Sequence, residues 1–213
     1  MMADSSQSIT AKPLLLLVAG ANGSGKTTFA KHIAELNNLP FVNADETARE
    51  INPDDVRAAR FQAGREVLKE LETLRERRIS FVYESTLAGL SLSRILNEFK
   101  NVGYEISLVY VYLDSADVCI ERIKSRVRAG GHFVPDDEVR RRYERSKRNF
   151  IEVYRLIADQ WLLYRNPLEG FELIATQDEA AVKIWNKERT EQFFGHVLEN
   201  INVGISSTSS RPA

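Results

Sequence analysis

The sequence predicts an α/β fold, a parallel sheet with helices on both faces. Three observations lead there. Short apolar runs alternate with longer stretches of helical period, the pattern of strand–helix–strand units. The runs Leu14–Ala19 and Ile106–Leu113 are apolar or aromatic at nearly every position, as strands buried on both faces are. The polar groups at Gly20–Thr28, Asp45 and Glu84 each follow a strand end, where ligands bind in such sheets.

The elements follow in order. Leu14–Ala19 is too short and too apolar for a surface helix, and reads as the first strand. Gly25–Leu36 reads as a helix with Phe29, Ile33 and Leu36 on one face. A short strand, Phe41–Asn43, leads to Ala44 and Asp45. Asn52, Pro53 and Asp54 open a long helix to about Arg77, striped by Ala63, Val67, Leu68, Leu71 and Leu74. Ile79–Tyr83 is a strand ending at Glu84. A helix over Ser91–Asn101 is stopped by Gly103. Ile106–Leu113, rich in branched and aromatic residues, is the most strand-like stretch. Ala116–Val127 is helical, Ala129–His132 interrupts, and Pro135-Asp136-Asp137 caps a further helix to about Asp159. Trp161–Tyr164 and Phe171–Ala175 read as two last strands, and 178–201 as a C-terminal helix.

The polar, Ser-rich ends, 1–12 and 204–213, read as flexible tails around a single domain at 13–203. The chain has 213 residues, 43% of them hydrophobic and 28% charged, a globular balance. Its formal charge of −1 argues against nucleic acid or an acidic membrane as partner. The single cysteine, Cys119, rules out an internal disulfide and suits a reducing compartment; it reads as a small core residue rather than a nucleophile. No apolar run approaches the roughly 20 residues of a membrane span, and no basic cluster precedes the first apolar run, Lys12 being the one basic residue before it. The expectation is a cytoplasmic protein without a targeting segment.

Gly20-Ala21-Asn22-Gly23-Ser24-Gly25-Lys26-Thr27 fits G-x-x-x-x-G-K-S/T, and Thr28 follows. Glycines let the backbone turn its N–H groups towards phosphate oxygens, and the helix adds its positive end. A lysine at Lys26 reaches the β- and γ-phosphates, and a hydroxyl at Thr27 helps hold Mg²⁺. The other reading is a glycine turn beside a surface lysine. A strand before and a helix after favour nucleotide binding, and with it a P-loop NTPase fold of the nucleoside-kinase kind.

Asp45 follows the second strand. A carboxylate near a γ-phosphate can take a proton from an attacking hydroxyl; Asp is also a common helix cap. Glu84 stands before Ser85 and Thr86, and could fix a substrate hydroxyl or order Mg²⁺ waters, unless the segment is only a cap. Asp114 ends an apolar strand as an ATPase acid would, but Asp114-Ser115 also caps the next helix, and the cap is preferred.

Residues 122–148 hold ten Lys or Arg against four Asp or Glu. Arg122 and Arg126 lie one helical turn apart, Arg128 follows, and Gly130-Gly131-His132 separates them from Arg140, Arg141, Arg142, Arg145 and Arg148. Arginine-bearing helices about a glycine hinge describe a lid that closes over phosphates. Arg122 and Arg126 are the phosphate candidates, against a solvated basic face or an RNA patch. His132 has no Cys or His near it, so a metal site built of protein ligands is not expected.

Taken together, "VAGANGSGKTT", "FVNADETA", "FVYESTLAG", "YVYLDSADVCIERIKSRVRAGGHFVPDDEVRRRYERSKRNF" and "ADQWLLYRN" resemble the zeta toxin family of P-loop kinases, in a branch with a GGH segment. They span about 14–166. The resemblance implies transfer of the γ-phosphoryl group of ATP to a small-molecule hydroxyl, in characterised members the sugar 3′-hydroxyl of UDP-N-acetylglucosamine. It implies that Lys26 and Thr27 bind ATP–Mg²⁺, that Asp45 is the base, and that Glu84 and Thr86 face the substrate. Lid arginines, mapped onto Arg122, Arg126 and Arg128, would stabilise the transferring group. Ala88 stands where the best-studied toxins carry an Arg beside the sugar nucleotide, and the GGH lid differs from theirs; both departures bear on the acceptor. Two rivals accompany this expectation: a nucleic-acid kinase or RNA-associated ATPase, and a non-catalytic nucleotide-binding partner of an antitoxin.

Overall fold

A computed structural model describes residues 12–131, 133–167 and 170–195. His132, both expected tails and the last part of the expected C-terminal helix lie outside these residues.

Seven strands form one sheet in the order β2-β3-β1-β4-β5-β6-β7. They are β1 (Leu14–Ala19), β2 (Phe41–Val42), β3 (Phe81–Ser85), β4 (Glu105–Tyr112), β5 (Gln160–Arg165), β6 (Glu172–Gln177) and β7 (Val182–Ile184). The first five are parallel. The expected α/β fold is thus present, and β6 and β7 add an antiparallel edge to its parallel sheet. For β7 the reason is local. Asp178 accepts hydrogen bonds from the N–H groups of Ala180 and Ala181, turning the chain into a hairpin where a helix from 178 was expected. The last helix is therefore shorter, Lys187–Phe194 (α8), and is capped by Asn186, which accepts from the Arg189 N–H.

The apolar run of β1 is explained by its two buried faces. Leu15, Leu17 and Ala19 join Leu108 and Tyr110 of β4 in one core, under α3 (Val56–Glu76) and α4 (Ser91–Asn101). Leu16 and Val18 join Val109 and Val111 in a second core, closed by Ala30 and Ala34 of α1 (Lys26–Leu36). Helix α3 buries Ala59, Ala63, Val67, Leu71 and Leu74, a stripe at helical spacing.

Two features position the site. The chain leaves β1 between β3 and β4, where the strand order reverses, so the crevice opens at the end of β1. Beyond α6 (Asp136–Asn149) the helix widens into a π-helical turn, Phe150–Tyr154, before the short α7 (Arg155–Ile157). That turn stacks Phe150 on Tyr110 at 4.5 Å, within an aromatic core that includes Trp161, Phe193 and Phe194. Asn149 and the Tyr154 hydroxyl donate to the carbonyls of Leu87 and Gly89, at 2.7 and 2.6 Å. The loop after β3 is thereby fastened in place.

Candidate active site

The loop Gly20–Gly25 carries the chain from β1 into α1. Close approach explains two of its glycines. A Cβ on Gly23 would meet the Cys119 carbonyl oxygen at 2.5 Å, and one on Gly25 would meet Asn166 Nδ2 at 2.1 Å; both residues have positive φ. Asn166, just past β5, donates from Nδ2 to the Ser24 carbonyl at 2.7 Å. Its own carbonyl accepts from Arg122 Nη2 at 2.9 Å. The loop is thus held from behind by β5 and by α5 (Ala116–Arg128). Ser24 Oγ is fully buried and has no partner among the described residues.

In front of the loop, Glu84 is the hub. Its carboxylate is 3.4 Å from Lys26 Nζ and accepts hydrogen bonds from Thr27 Oγ1 at 3.0 Å and Asn43 Nδ2 at 2.5 Å. Lys26, Asn43 and Glu84 are all buried. A buried carboxylate is tolerated here because an ammonium and two neutral donors surround it. Lys26 Nζ also lies 3.5 Å from the Ala21 carbonyl, folded back on its own loop.

Asn43 has a second task. Its Oδ1 accepts from the N–H groups of Asp45 and Glu46, capping α2 (Ala44–Ile51). The cap is Asn43, not Asp45. This leaves the Asp45 side chain exposed in the first turn, on the wall of a cavity of about 650 Å³. Lys26, Thr27, Thr28, Glu84, Arg122 and Arg126 face the same cavity.

Two expected substrate residues do not line it. Thr86 Oγ1 accepts from the Ala88 N–H, an internal turn of the fastened loop. Arg128 ends α5 two residues beyond Arg126 and so points elsewhere. Helices α5 and α6 pack through Ile120, Ile123, Val134 and Val139, with Cys119 buried beside them. Burial pushes the Cys119 thiol up to about 12, which makes it a packing residue. Asp114 pairs with Arg165 rather than facing the crevice.

Arg49, Arg60 and Asn166, none of them a site candidate in the sequence, also stand on the cavity wall; Arg142, one of the expected lid arginines, does not. Arg142 donates to Asn22 Oδ1 at 3.1 Å, joining α6 to the loop, and pairs with Glu138. Asn166 had a signal, since it too follows a strand end. Arg49 stands four residues after Asp45, but that spacing carries meaning only once Ala44–Ile51 is known to be helical.

The family model described as Zeta toxin matches residues 2–188. The chain belongs to the zeta toxin family. An uncharacterised protein of Haemophilus influenzae is 33% identical over 128 residues, which is 60% of this chain and 91% of that protein. Among solved structures, the PezAT chromosomal toxin-antitoxin system of Streptococcus pneumoniae is similar with a TM-score of 0.66 at 17% identity, covering 92% of this chain and 87% of that one. AvrRxo1-ORF1:-ORF2 with ATP is similar with a TM-score of 0.67 at 14% identity, covering 94% of this chain and 67% of that one. At such identities these structures speak for the fold. This zeta toxin family protein has the fold of a P-loop kinase, and family and fold together make its function an ATP-using one of the P-loop kinase type. Among the described residues no helix is long and apolar enough to cross a membrane.

Proposed function

We propose that this zeta toxin family protein transfers the γ-phosphoryl group of ATP to a hydroxyl of a small molecule, with UDP-N-acetylglucosamine as the first acceptor to test. The observation that carries the reading is the Glu84 hub. It gathers the loop lysine, the loop threonine and the cap of the Asp45 helix on one carboxylate.

ATP suits the loop, whose buried Ser24 hydroxyl has no partner among the described residues and whose glycines leave no room for side chains. The backbone of Gly20–Gly25 and the start of α1 offer N–H groups to phosphate oxygens, and Lys26 exchanges Glu84 for them. Mg²⁺ also suits the donors present, since Thr27 and Glu84 supply hard oxygen atoms. Among the described residues no group of three His, Cys, Asp or Glu could hold a metal alone, so the phosphates would share it. When bound, the ion neutralises charge on the transferring group.

Asp45 accepts the proton of the acceptor hydroxyl as its oxygen bonds to the γ-phosphorus and ADP leaves. Arg122 and Arg126, one turn apart on α5, balance the charge that develops. Helices α5 and α6 form the lid, over about 122–148, of a single kinase domain at 13–203. Thr86 and Arg128 receive no role. A cytoplasmic setting supplies the ATP. The PezAT neighbour comes from a toxin-antitoxin system, and a restraining protein partner is the corresponding proposal here.

The test is to incubate the protein with γ-labelled ATP, Mg²⁺ and either UDP-N-acetylglucosamine or a metabolite extract. A labelled small molecule is expected, and its yield should fall by about 10²–10³ in Lys26→Ala. Label found only in RNA, or only as free phosphate, would exclude the proposal.

A further inference from the structure

The cavity has two ends, set by strand order. Towards β5 its wall is Asn166, Phe171 and α5; towards β2 it is α2 and the start of α3. The loop lies between them, at the end of β1. Asp45, on α2, therefore directs the acceptor to the β2 end. Two arginines stand on that wall, Arg49 of α2 and Arg60 of α3. Arg49 lies one helical turn beyond Asp45 and is only 3.9 Å from Glu46, whose closer partner is Lys31 at 2.6 Å. Arg60 is half-buried, yet it makes no hydrogen bond or ion pair among the described residues. Its charge acts on another cation, Arg142, which is opposed by Glu138 and Asp45. A partly buried guanidinium on a cavity wall, with no hydrogen bond or ion pair of its own, is stabilised by an anion that enters the cavity beside it.

We infer that Arg60, supported by Arg49, selects the acceptor by binding an anionic group that it carries besides the reacting hydroxyl. This rests on the phosphotransfer reading of the same cavity. The group is a phosphate, diphosphate or carboxylate, which a planar guanidinium binds with two parallel hydrogen bonds. Neutral alcohols would reach Asp45 but would leave Arg60 without a partner. The wall thus rejects them by the same means as it holds the right substrate.

The experiment saturates the loop with AMP-PNP and Mg²⁺, then titrates pyrophosphate and, in parallel, malonate by calorimetry. The two probes separate a phosphate group from a carboxylate. At least one should bind the wild type, and its affinity should fall tenfold or more in Arg60→Ala, with partial recovery in Arg60→Lys. AMP-PNP affinity should stay within about twofold, and the thermal midpoint should be unchanged. If AMP-PNP binds and neither probe binds the wild type, or Arg60→Ala binds the probes as well as the wild type does, the inference is overturned alone. If AMP-PNP does not bind, the phosphotransfer reading falls and takes this inference with it.

Discussion

At Asp45 the backbone does the positioning. Its own N–H is held by Asn43, so the side chain needs no internal partner and faces the cavity. Asp45→Asn keeps the size and removes the basic oxygen. The expected outcome is a fall in kcat of about 10²–10⁴, the usual worth of a positioned base, with the KM for ATP within a few-fold and the thermal midpoint unchanged. Steady-state kinetics with the labelled acceptor checks this, and an unchanged kcat would remove Asp45 as base. At this scale much of the candidate site was legible. Lys26, Thr27, Asp45 and Glu84 all sit at strand ends or at the head of α1, which sequence patterns reveal. Asn43 and Arg60 were not legible, because their meaning depends on what crosses them in space. Asn43 matters because Glu84 lies beside it, from a strand about forty residues on.

Helix α2 shows how one element couples the two sides of the site. It is eight residues long, shorter than a helix that holds its shape alone in water. Its cap is therefore a large share of what keeps it formed, and the cap residue is also a donor to Glu84. Asn43→Ala should lose about 1 kcal/mol for the cap, with a further loss for the unpaired Glu84 oxygen. For a chain of this size that is a drop of roughly 2–4 °C or more in Tm. Activity should fall alongside, since Asp45 and Glu84 both lose their holder. Scanning calorimetry with kinetics on one sample is the check, and a variant losing neither would show that α2 is held otherwise. The polar sequence of α2 concealed it, as only Ala48 is buried. The long stripe of α3 could be read because buried residues repeat along it, but Leu68, expected in the stripe, is exposed, and Ala59, one turn before Ala63, is buried instead. The hairpin β6–β7 escaped for a third reason, a turn made by one Asp178 oxygen that no periodicity signals.

For the whole molecule, the question is what joins the parallel body, which carries the site, to the antiparallel edge. Part of the answer is apolar: Phe193 and Phe194 of α8 pack on Phe150 and Trp161. The other part is ionic. Asp114, just past β4, pairs with Arg165 of β5, which also lies 3.5 Å from Glu172 of β6; Arg189 of α8 lies 3.6 Å from Asp114. The hydrogen bonds from Arg165, and the charges of Arg165 and Arg189, hold the Asp114 carboxyl below its ordinary value of 3.8 against the opposing effect of burial. A carboxyl whose folded pKa is depressed stabilises the fold above its unfolded pKa, and loses that contribution as pH falls through the folded one. Asp114 is partly exposed, so solvent limits the contribution to about 0.5–1 kcal/mol. Asp114→Asn should therefore be less stable than the wild type by that amount at pH 7. The gap should hold down to about pH 4 and close below it, as the wild-type carboxyl becomes protonated and loses its charge too. Urea unfolding of both proteins from pH 7 to pH 2.5 measures the gap directly. A gap that stays constant across the range would mean that the Asp114 charge contributes nothing, and that the β5–β6 ladder and the aromatic packing fasten the edge to the body without it.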